Sequence, residues 1–161
     1  MSALYHWSES NGAEAITDDI SNLNFGSNDA PNLNTLTWAV IRGTASYEKY
    51  IRAKFTDLFT EISNMTFWRS DVNGYKTGET LKCAYNVTFA TPSQTPNGDD
   101  NIPLTSGGSA AIQSYEGAST ILAGPGVSGY TKYMRLQLQT SGSTPSGVMY
   151  QKTLCFQYDE V

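Results

Sequence analysis

Residues 46–68, "SYEKYIRAKFTDLFTEISNMTFW", decide the fold class because their pattern fits both a helix and a pair of strands. On a helical template, one stripe collects the apolar residues Tyr47, Ile51, Phe55, Leu58, Phe59, Ile62 and Met65. On a strand template, Ile51 and Phe55 share one face, opposite Arg52. The segment also contains Thr, Ser and Asn residues, which are poor helix formers. These residues favour two strands joined by a bend near Asp57 over one long helix.

The rest of the chain repeats the alternation of a half-buried strand more clearly. Segments 80–90, "TLKCAYNVTFA", and 133–140, "YMRLQLQT", place apolar side chains at every second position. Segment 147–161, "GVMYQKTLCFQYDEV", does so with one exception, Lys152. "TLTWAVI", residues 35–41, is typical of a strand or an extended segment. The predicted inward faces are Leu81, Cys83, Tyr85, Val87 and Phe89, then Met134, Leu136 and Leu138, then Val148, Tyr150, Leu154, Phe156 and Tyr158.

The length of 161 residues fits one domain. Short alternating strands separated by Gly- and Pro-rich turns predict an all-β fold, an antiparallel β-sandwich of the Ig-like or jelly-roll-like kind. Residues 1–19 are polar and show no periodicity, so they predict an N-terminal arm. Residues 20–161 then form a single β-sandwich domain. Within it, residues 91–109 contain three prolines and predict a long loop.

The charge balance excludes some partners. The chain has 10 basic and 15 acidic side chains, a net charge of −5, whereas a nucleic-acid partner calls for a basic face. The N-terminus has neither the basic start nor the apolar stretch of a signal peptide. "WAVI", residues 38–41, is far too short to span a bilayer. We therefore expect synthesis in the cytoplasm, no nucleic-acid partner and no membrane partner.

The two cysteines, Cys83 and Cys155, lack the spacing of metal ligands. We expect both to be small buried core residues, because free cysteine is among the most buried residue types. A disulfide across this long separation would stabilise the fold by about 4 kcal/mol, but a cytoplasmic origin disfavours it.

No arrangement in the sequence is typical of a catalytic, cofactor or metal site. His6, the single histidine, lies in the predicted arm, where it is a poor general base. Residues 124–129, "GPGVSG", match the dinucleotide pattern G-x-G-x-x-G, but a strand-like segment follows where a helix is required. Asp99 and Asp100 are candidates for a hard cation, with a solvated turn as the simpler interpretation. We expect no enzyme activity, no cofactor and no metal.

The tryptophans Trp7, Trp38 and Trp68 raise one binding alternative, the sugar-stacking platform of a carbohydrate-binding module. Core packing is the simpler interpretation for Trp38 and Trp68. The acidic residues do not identify a glycosidase, because sequence alone does not place two carboxylates across a cleft.

Three stretches carry a resemblance to a known group of proteins: "ITDDISNLNFGSNDAPNL", the opening stretch, and the ending "YMRLQLQ…TLCFQYDE". In these stretches the chain resembles the small β-sandwich virion proteins of tailed bacteriophages, the decoration or cement proteins that bind the outer capsid. The resemblance covers most of the chain. It implies a non-enzymatic structural role, location in the virion after synthesis in the host cytoplasm, and self-association at capsid symmetry axes.

The partner implied by this resemblance is the major capsid protein, bound by a homo-oligomer. The group shares no site motif, so no residue role carries over from it. From the polar arm itself, we predict that Tyr5, His6 and Trp7 contact the capsid, because aromatic residues supply anchor area when buried. A phage tail, neck or fibre-base component is the alternative, and a carbohydrate-binding β-sandwich module is a further one.

Overall fold

The computed structural model describes residues 3–56, 59, 61–70, 74–102, 121–122 and 129–160. These described residues form β-strands and no helix, so the prediction of an all-β fold is confirmed. The strands are β1 (Leu4–Asn11), β2 (Ala15–Thr17), β3 (Lys49–Thr56), β4 (Glu61–Ser70), β5 (Glu79–Val87), β6 (Asp100–Asn101), β7 (Ile121–Leu122), β8 (Gly129–Tyr130), β9 (Tyr133–Thr140) and β10 (Thr153–Glu160).

The strands form two antiparallel sheets that pack against each other as a β-sandwich. Within the described residues the large sheet has the order β2-β1-β3-β9-β5-β6, and β8 also pairs with β3. The small sheet has the order β10-β4-β7. β8 and β9 follow each other along the same edge of β3, because Gly129 lies opposite Phe55 and Met134 lies opposite Ile51. β3 is therefore paired on both edges, with β1 on one and β8 and β9 on the other.

The stretch of residues 46–68 forms two strands, as predicted, and these strands, β3 and β4, lie in different sheets. The predicted bend at Asp57 lies outside the described residues. Along β3 the buried residues Ile51, Ala53 and Phe55 alternate with partly exposed ones, so one face of the strand lines the core. The stretch therefore supplies inward faces to both layers of the sandwich.

A β-bulge in β4 interrupts the alternation of its buried and exposed side chains. The register between β4 and β10 shifts between Gln157 and Asp159. Asn64 sits at the shift with a φ of 49°, a left-handed value that asparagine adopts more readily than most residues. Its Nδ2 donates to Asp159 Oδ2 at 2.7 Å. The extra residue lets both Ile62 and Met65 face the core, which simple alternation does not allow.

The core lies between the two sheets. β9 contributes Met134, Leu136 and Leu138, which are fully buried as their alternation predicted. The aromatic side chains of Phe156 and Tyr158 on β10 pack against this core from the small sheet. The other buried members are Ala3, Ile51, Ala53, Phe55, Phe59, Ile62, Met65, Phe67, Leu81, Cys83 and Ile102.

The N-terminal residues differ from the expected arm. β1 pairs with β3 from Leu4, opposite Thr56, to Ser10, opposite Tyr50, and β2 extends the same sheet. The described part of residues 1–19 is therefore integral to the sandwich and not an arm beside it. Its strand has no apolar alternation because residues 8–11 are polar yet buried.

Of residues 35–41, predicted as a strand or extended segment, residues 35–38 form a turn and a bend, and all seven lie outside both sheets. Asn34 organises them: its carbonyl accepts from Trp38 N at 3.0 Å, and its Oδ1 accepts from Leu36 N at 3.0 Å. An asparagine side chain that binds the backbone two residues ahead is typical of a turn. The apolar residues of this segment therefore lie on a loop.

Val148 and Tyr150 also differ from their prediction, because they precede β10 and are exposed. Gly147 has a φ of 110°, which takes the chain out of the extended conformation just before them. The predicted alternation holds for Leu154, Phe156 and Tyr158, which pack against the core.

A buried ion pair ties the loop between β2 and β3 to the large sheet. Lys49 Nζ donates to Glu9 Oε1 at 2.6 Å and to the carbonyl of Ala30 at 2.8 Å, and both charged side chains are almost fully buried. Asn11 Nδ2 donates to the same Glu9 oxygen at 2.8 Å and to Asp29 Oδ1 at 2.7 Å. This network fixes the loop against β1 and β3.

Breaking this ion pair should be costly. Lys49→Met leaves the Glu9 carboxylate buried without its cation, so we expect the free energy of unfolding to fall by about 3–5 kcal/mol. The double variant Glu9→Leu/Lys49→Met removes both charges and should recover most of the loss. Urea denaturation measures both, with Arg42→Met at an exposed position as a control expected within about 0.5 kcal/mol of wild type. A fully stable Lys49→Met variant would contradict the network.

Both cysteines are free thiols, but only Cys83 is buried, whereas Cys155 is partly exposed. The expectation of burial is therefore confirmed for Cys83 alone. Burial raises the pKa of the Cys83 thiol, which keeps the reactive thiolate scarce.

We expect Cys155 to react with Ellman's reagent before Cys83 in the folded protein, because Cys83 is both buried and harder to ionise. Cys83→Ala should lower the free energy of unfolding by about 1–3 kcal/mol through lost packing. Thiol titration with and without urea and denaturation of the variant measure the two effects. Rapid modification of Cys83 in native buffer would refute the burial.

Candidate docking surface

The residues predicted to contact a capsid, Tyr5, His6 and Trp7, lie on β1 and not on an arm. The Tyr5 ring stacks on Phe156 at 5.5 Å, and the Trp7 ring meets the same side chain edge-on at 5.2 Å. His6 Nδ1 lies 2.5 Å from Asp19 Oδ1. Tyr5 remains 37% exposed, so contact of this strand with a partner stays a prediction.

The loop after β2 is bound to the outer side of the large sheet by side chains of β1 and β3. Lys54 Nζ lies 2.7 Å from Asp18 Oδ2, and Ser8 Oγ donates to Asp18 Oδ1 at 2.5 Å. The hydrogen bond from Lys54, supported by that from Ser8, lowers the pKa of the Asp18 carboxyl. The same hydrogen bond raises the pKa of the Lys54 ammonium. The charged forms of both groups are thus favoured by the fold.

A larger candidate site is an open groove of about 920 Å3 between the sandwich and two loops. This volume is near the upper end of the roughly 300–1,000 Å3 of ligand pockets. Its apolar lining includes Trp7, Ile51 and Leu138 from the large sheet, Leu23 and Phe25 from the loop of residues 20–42, and Met149 from the segment before β10.

Some of the apolar residues that line the groove are exposed to solvent. Leu36 is 89% exposed and comes from the loop of residues 20–42, whereas Val148 is 84% exposed and comes from the segment before β10. Tyr150 lines the groove beside Val148 and is 42% exposed. We call Leu36, Val148 and Tyr150 the apolar rim. Exposed apolar residues that line one groove make that groove a candidate interaction site.

The charged residue buried deepest in the groove is Glu79, whose side chain is fully buried. Its Oε2 accepts from Lys76 N at 3.0 Å and lies 3.8 Å from Lys152 Nζ. Its Oε1 is buried without a hydrogen-bond partner in the described structure. Buried polar atoms are normally hydrogen-bonded, so this oxygen is an unused acceptor.

Two lysines hold the segment before β10 in place. Lys76 Nζ donates to the carbonyl of Val148, and Lys152 Nζ donates to the carbonyl of Tyr150 at 3.1 Å. Both ammonium groups also lie near the Tyr150 ring, at 5.5 and 5.6 Å from its centroid. One side of the groove is therefore fixed by side-chain contacts and not by strand pairing.

The other candidate residues are engaged elsewhere or lie outside the described chain. Asp99 accepts two hydrogen bonds from Arg135, at 2.9 and 2.6 Å. This carboxylate raises the pKa of the Arg135 guanidinium. Gly124 to Ser128 of the G-x-G-x-x-G match lie outside the described residues.

The three tryptophans do not form one platform. Trp7 and Trp68 pack against the core, and Trp38 on the loop is 44% exposed. The sequence-based expectation of core packing therefore holds for Trp68 and not for Trp38, whose loop is set by the Asn34 turn.

Comparison of the chain with known protein families, with curated protein sequences and with solved structures gives no match. Where the structure describes the chain, no group of three or more His, Cys, Asp and Glu side chains is placed to hold a metal ion. The same residues contain no helix that is long and apolar enough to cross a membrane.

The Asp18 contacts predict a pH-dependent stability. Because the pKa of Asp18 is lowered in the folded state, its contribution is present above the ordinary carboxyl pKa of about 3.9 and is lost as pH falls through the folded value. We expect Asp18→Asn to cost about 0.5–1 kcal/mol at neutral pH, a cost that shrinks in acid. Urea denaturation from neutral to acidic pH measures it, with the exposed Asp100→Asn as control. A cost independent of pH would contradict this assignment.

Proposed function

We propose that the protein is a non-enzymatic structural component of a tailed-bacteriophage virion, a decoration or cement protein that binds the outer surface of the head and stabilises it. The observation that carries the proposal is the apolar rim, where Leu36 and Val148 are almost fully exposed. Such surfaces favour contact with another protein. The β-sandwich and the resemblance of the sequence to phage decoration proteins support the same role.

The proposed partner is the major capsid protein, and the proposed assembly is a homo-oligomer at the symmetry axes of the capsid. A capsid repeats one epitope many times, so weak contacts from each subunit add through multivalency. Only 16% of the residues are charged, so apolar and neutral polar contacts would dominate the interface. The proposed location is the virion, after synthesis in the host cytoplasm.

Two alternatives use the same surface differently. A tail, neck or fibre-base component would dock through the apolar rim on another virion protein, and immunogold labelling of virions distinguishes head from tail. A carbohydrate-binding module would use exposed aromatic rings, and Trp38 and Tyr150 are the residues that favour it. Glycan-array binding that is lost in Trp38→Ala or Tyr150→Ala would support that alternative.

The rim variant Leu36→Asp/Val148→Asp tests the proposal. Charges at these exposed positions leave the core intact but oppose burial against a partner, so we expect capsid affinity to fall about tenfold or more. Co-sedimentation with capsids stripped of the protein measures it. Ile16→Asp is the matched control, because Ile16 is also an exposed apolar residue but lies on β2, outside the groove lining.

Each outcome of this experiment is informative. Attachment that is lost in the rim variant and kept in Ile16→Asp supports docking through the rim. Equal attachment of both variants and the wild type would move the contact elsewhere on the surface. Failure of the wild-type protein to sediment with capsids would exclude a decoration role.

A further inference from the structure

A lysine and an asparagine side chain meet at one buried carboxylate in the large sheet. Glu9 Oε1 accepts from Lys49 Nζ at 2.6 Å and from Asn11 Nδ2 at 2.8 Å. The exposed fractions of Lys49, Glu9 and Asn11 are 0%, 1% and 5%. An amine, a primary amide and a carboxylate are thus held together away from water. They are the nucleophile, the electrophile and the proton carrier of an attack by an amine on an amide.

The pairing of β1 with β3 places the amine opposite the amide. Ser10 of β1 lies opposite Tyr50 of β3. Asn11 is the last residue of β1 and Lys49 is the first residue of β3, so these two residues follow as the next pair in the same register. The Cβ atoms of directly opposed residues lie about 4.5–5.5 Å apart. A covalent bond between the two side chains is therefore within the reach of a lysine.

The amide of Asn11 is held by its nitrogen. Nδ2 donates to Asp29 Oδ1 at 2.7 Å as well as to Glu9, whereas the amide oxygen is buried without a hydrogen-bond partner in the described structure. Two carboxylates therefore face the nitrogen, where positive charge develops if that nitrogen leaves as ammonia. The leaving atom and the attacking atom contact the same oxygen, Glu9 Oε1.

We propose that Lys49 and Asn11 form an amide bond within the folded chain, with Glu9 as the catalytic proton carrier. Glu9 takes a proton from the Lys49 ammonium along their hydrogen bond, and the neutral Nζ attacks Asn11 Cγ. The Nζ–Cγ bond forms, the Cγ–Nδ2 bond breaks, and ammonia leaves. Glu9 relays two protons from Nζ: one converts Nδ2 into ammonia, and the other departs with it as ammonium. Glu9 ends as a carboxylate, and neither a cofactor nor an oxidant takes part.

The fold favours this step in three ways. Fixed geometry replaces the encounter of two separate reactants. Burial keeps out the water that would hydrolyse the Asn11 amide instead. Transfer of the proton from Lys49 to Glu9 also removes two charges from a buried site, where charge is costly. The ion pair is then the state before the step, and the product ties β1 to β3 covalently. This inference does not depend on the proposed function.

The other ion pair of β3 provides a contrast within the same molecule. Lys54 Nζ lies 2.7 Å from Asp18 Oδ2, but both side chains are partly exposed. The Asp18 carboxylate is shared with the Ser8 hydroxyl, which contains no carbonyl carbon for an amine to attack. We therefore expect Lys54 to remain a free amine.

Tryptic peptide mapping of the purified full chain tests the proposal. Trypsin cleaves after Lys and Arg but not after an acylated lysine, and the first basic residue of the chain is Arg42. We expect residues 1–42 joined to residues 43–52, with a mass lower by one ammonia than the two peptides together. Tandem mass spectrometry should place the branch at Asn11 and Lys49. Release of residues 55–69 shows in the same digest that Lys54 is free.

Two variants should remain unlinked. Glu9→Gln retains an oxygen that accepts from Lys49 but relays no proton, and Asn11→Leu removes the electrophile while it keeps the ion pair. We expect both to show the full intact mass and no joined peptide, with circular dichroism to confirm that they are folded. A joined peptide in Glu9→Gln would refute the role of Glu9 as proton carrier.

A second reaction gives the same mass loss and is distinguished by the same experiment. In an Asn-Gly sequence the backbone nitrogen of Gly12 can attack Asn11 and expel ammonia, but this cyclisation joins no peptides and needs no lysine. Loss of ammonia that persists in Lys49→Met would identify the cyclisation and overturn the inference. A folded wild-type chain of full mass that releases residues 43–49 as a free peptide would overturn it as well.

Discussion

The pairing of β1 with β3 is the interaction on which the rest of the structure depends. β3 carries Ile51 and Phe55 to the core, and without β1 one of its edges would present unpaired amide and carbonyl groups. β1 also brings the rings of Tyr5 and Trp7 against Phe156 of the small sheet, at 5.5 and 5.2 Å. The same pairing therefore satisfies the backbone of one layer and joins it to the other.

The pairing of β1 with β3 also shapes the groove, because the buried ion pair between Glu9 and Lys49 on these strands positions a loop that lines it. Glu9 is on β1, opposite Ile51 of β3, and its carboxylate accepts a hydrogen bond from Lys49. The Lys49 ammonium also donates to the carbonyl of Ala30 on the loop between β2 and β3. A buried ion pair adds little net stability but is costly to break, so its effect here is to position the loop. The loop then presents Phe25 inside the groove and Leu36 at its apolar rim.

Apolar alternation in the sequence predicted the strands whose buried side chains are apolar. It missed β1, whose buried residues 8–11 are polar. Met134, Leu136 and Leu138 were predicted as an inward face because a half-buried sheet leaves a period of two. On β1 the pattern fails, because Glu9 is buried by a cation instead of by apolar neighbours. Neither that partnership nor its effect on the neighbouring loop is encoded in local periodicity.

The candidate site was harder to predict for a related reason. Leu36 and Val148 fit strand patterns, since an apolar residue in a sequence does not reveal whether it packs inward or stays in solvent. Their exposure depends on Asn34, which turns one loop, and on Lys76, which donates to the Val148 carbonyl from a distant part of the chain. The sequence therefore predicted Val148 as part of an inward strand face and Leu36 as part of a strand or extended segment, and it did not indicate a groove.

The same contacts bear on how the groove would bind. Ordering a loop on association opposes binding, whereas a loop already held in its bound shape avoids that cost. The segment at Val148 and Tyr150 is held by two lysine ammonium groups, and the segment at Leu36 by the Asn34 turn. Both sides of the apolar rim are thus held by contacts within the chain. In the proposed docking, a partner would lose its own freedom but would not have to order the rim, so even a modest contact area would be useful if many copies bind one lattice.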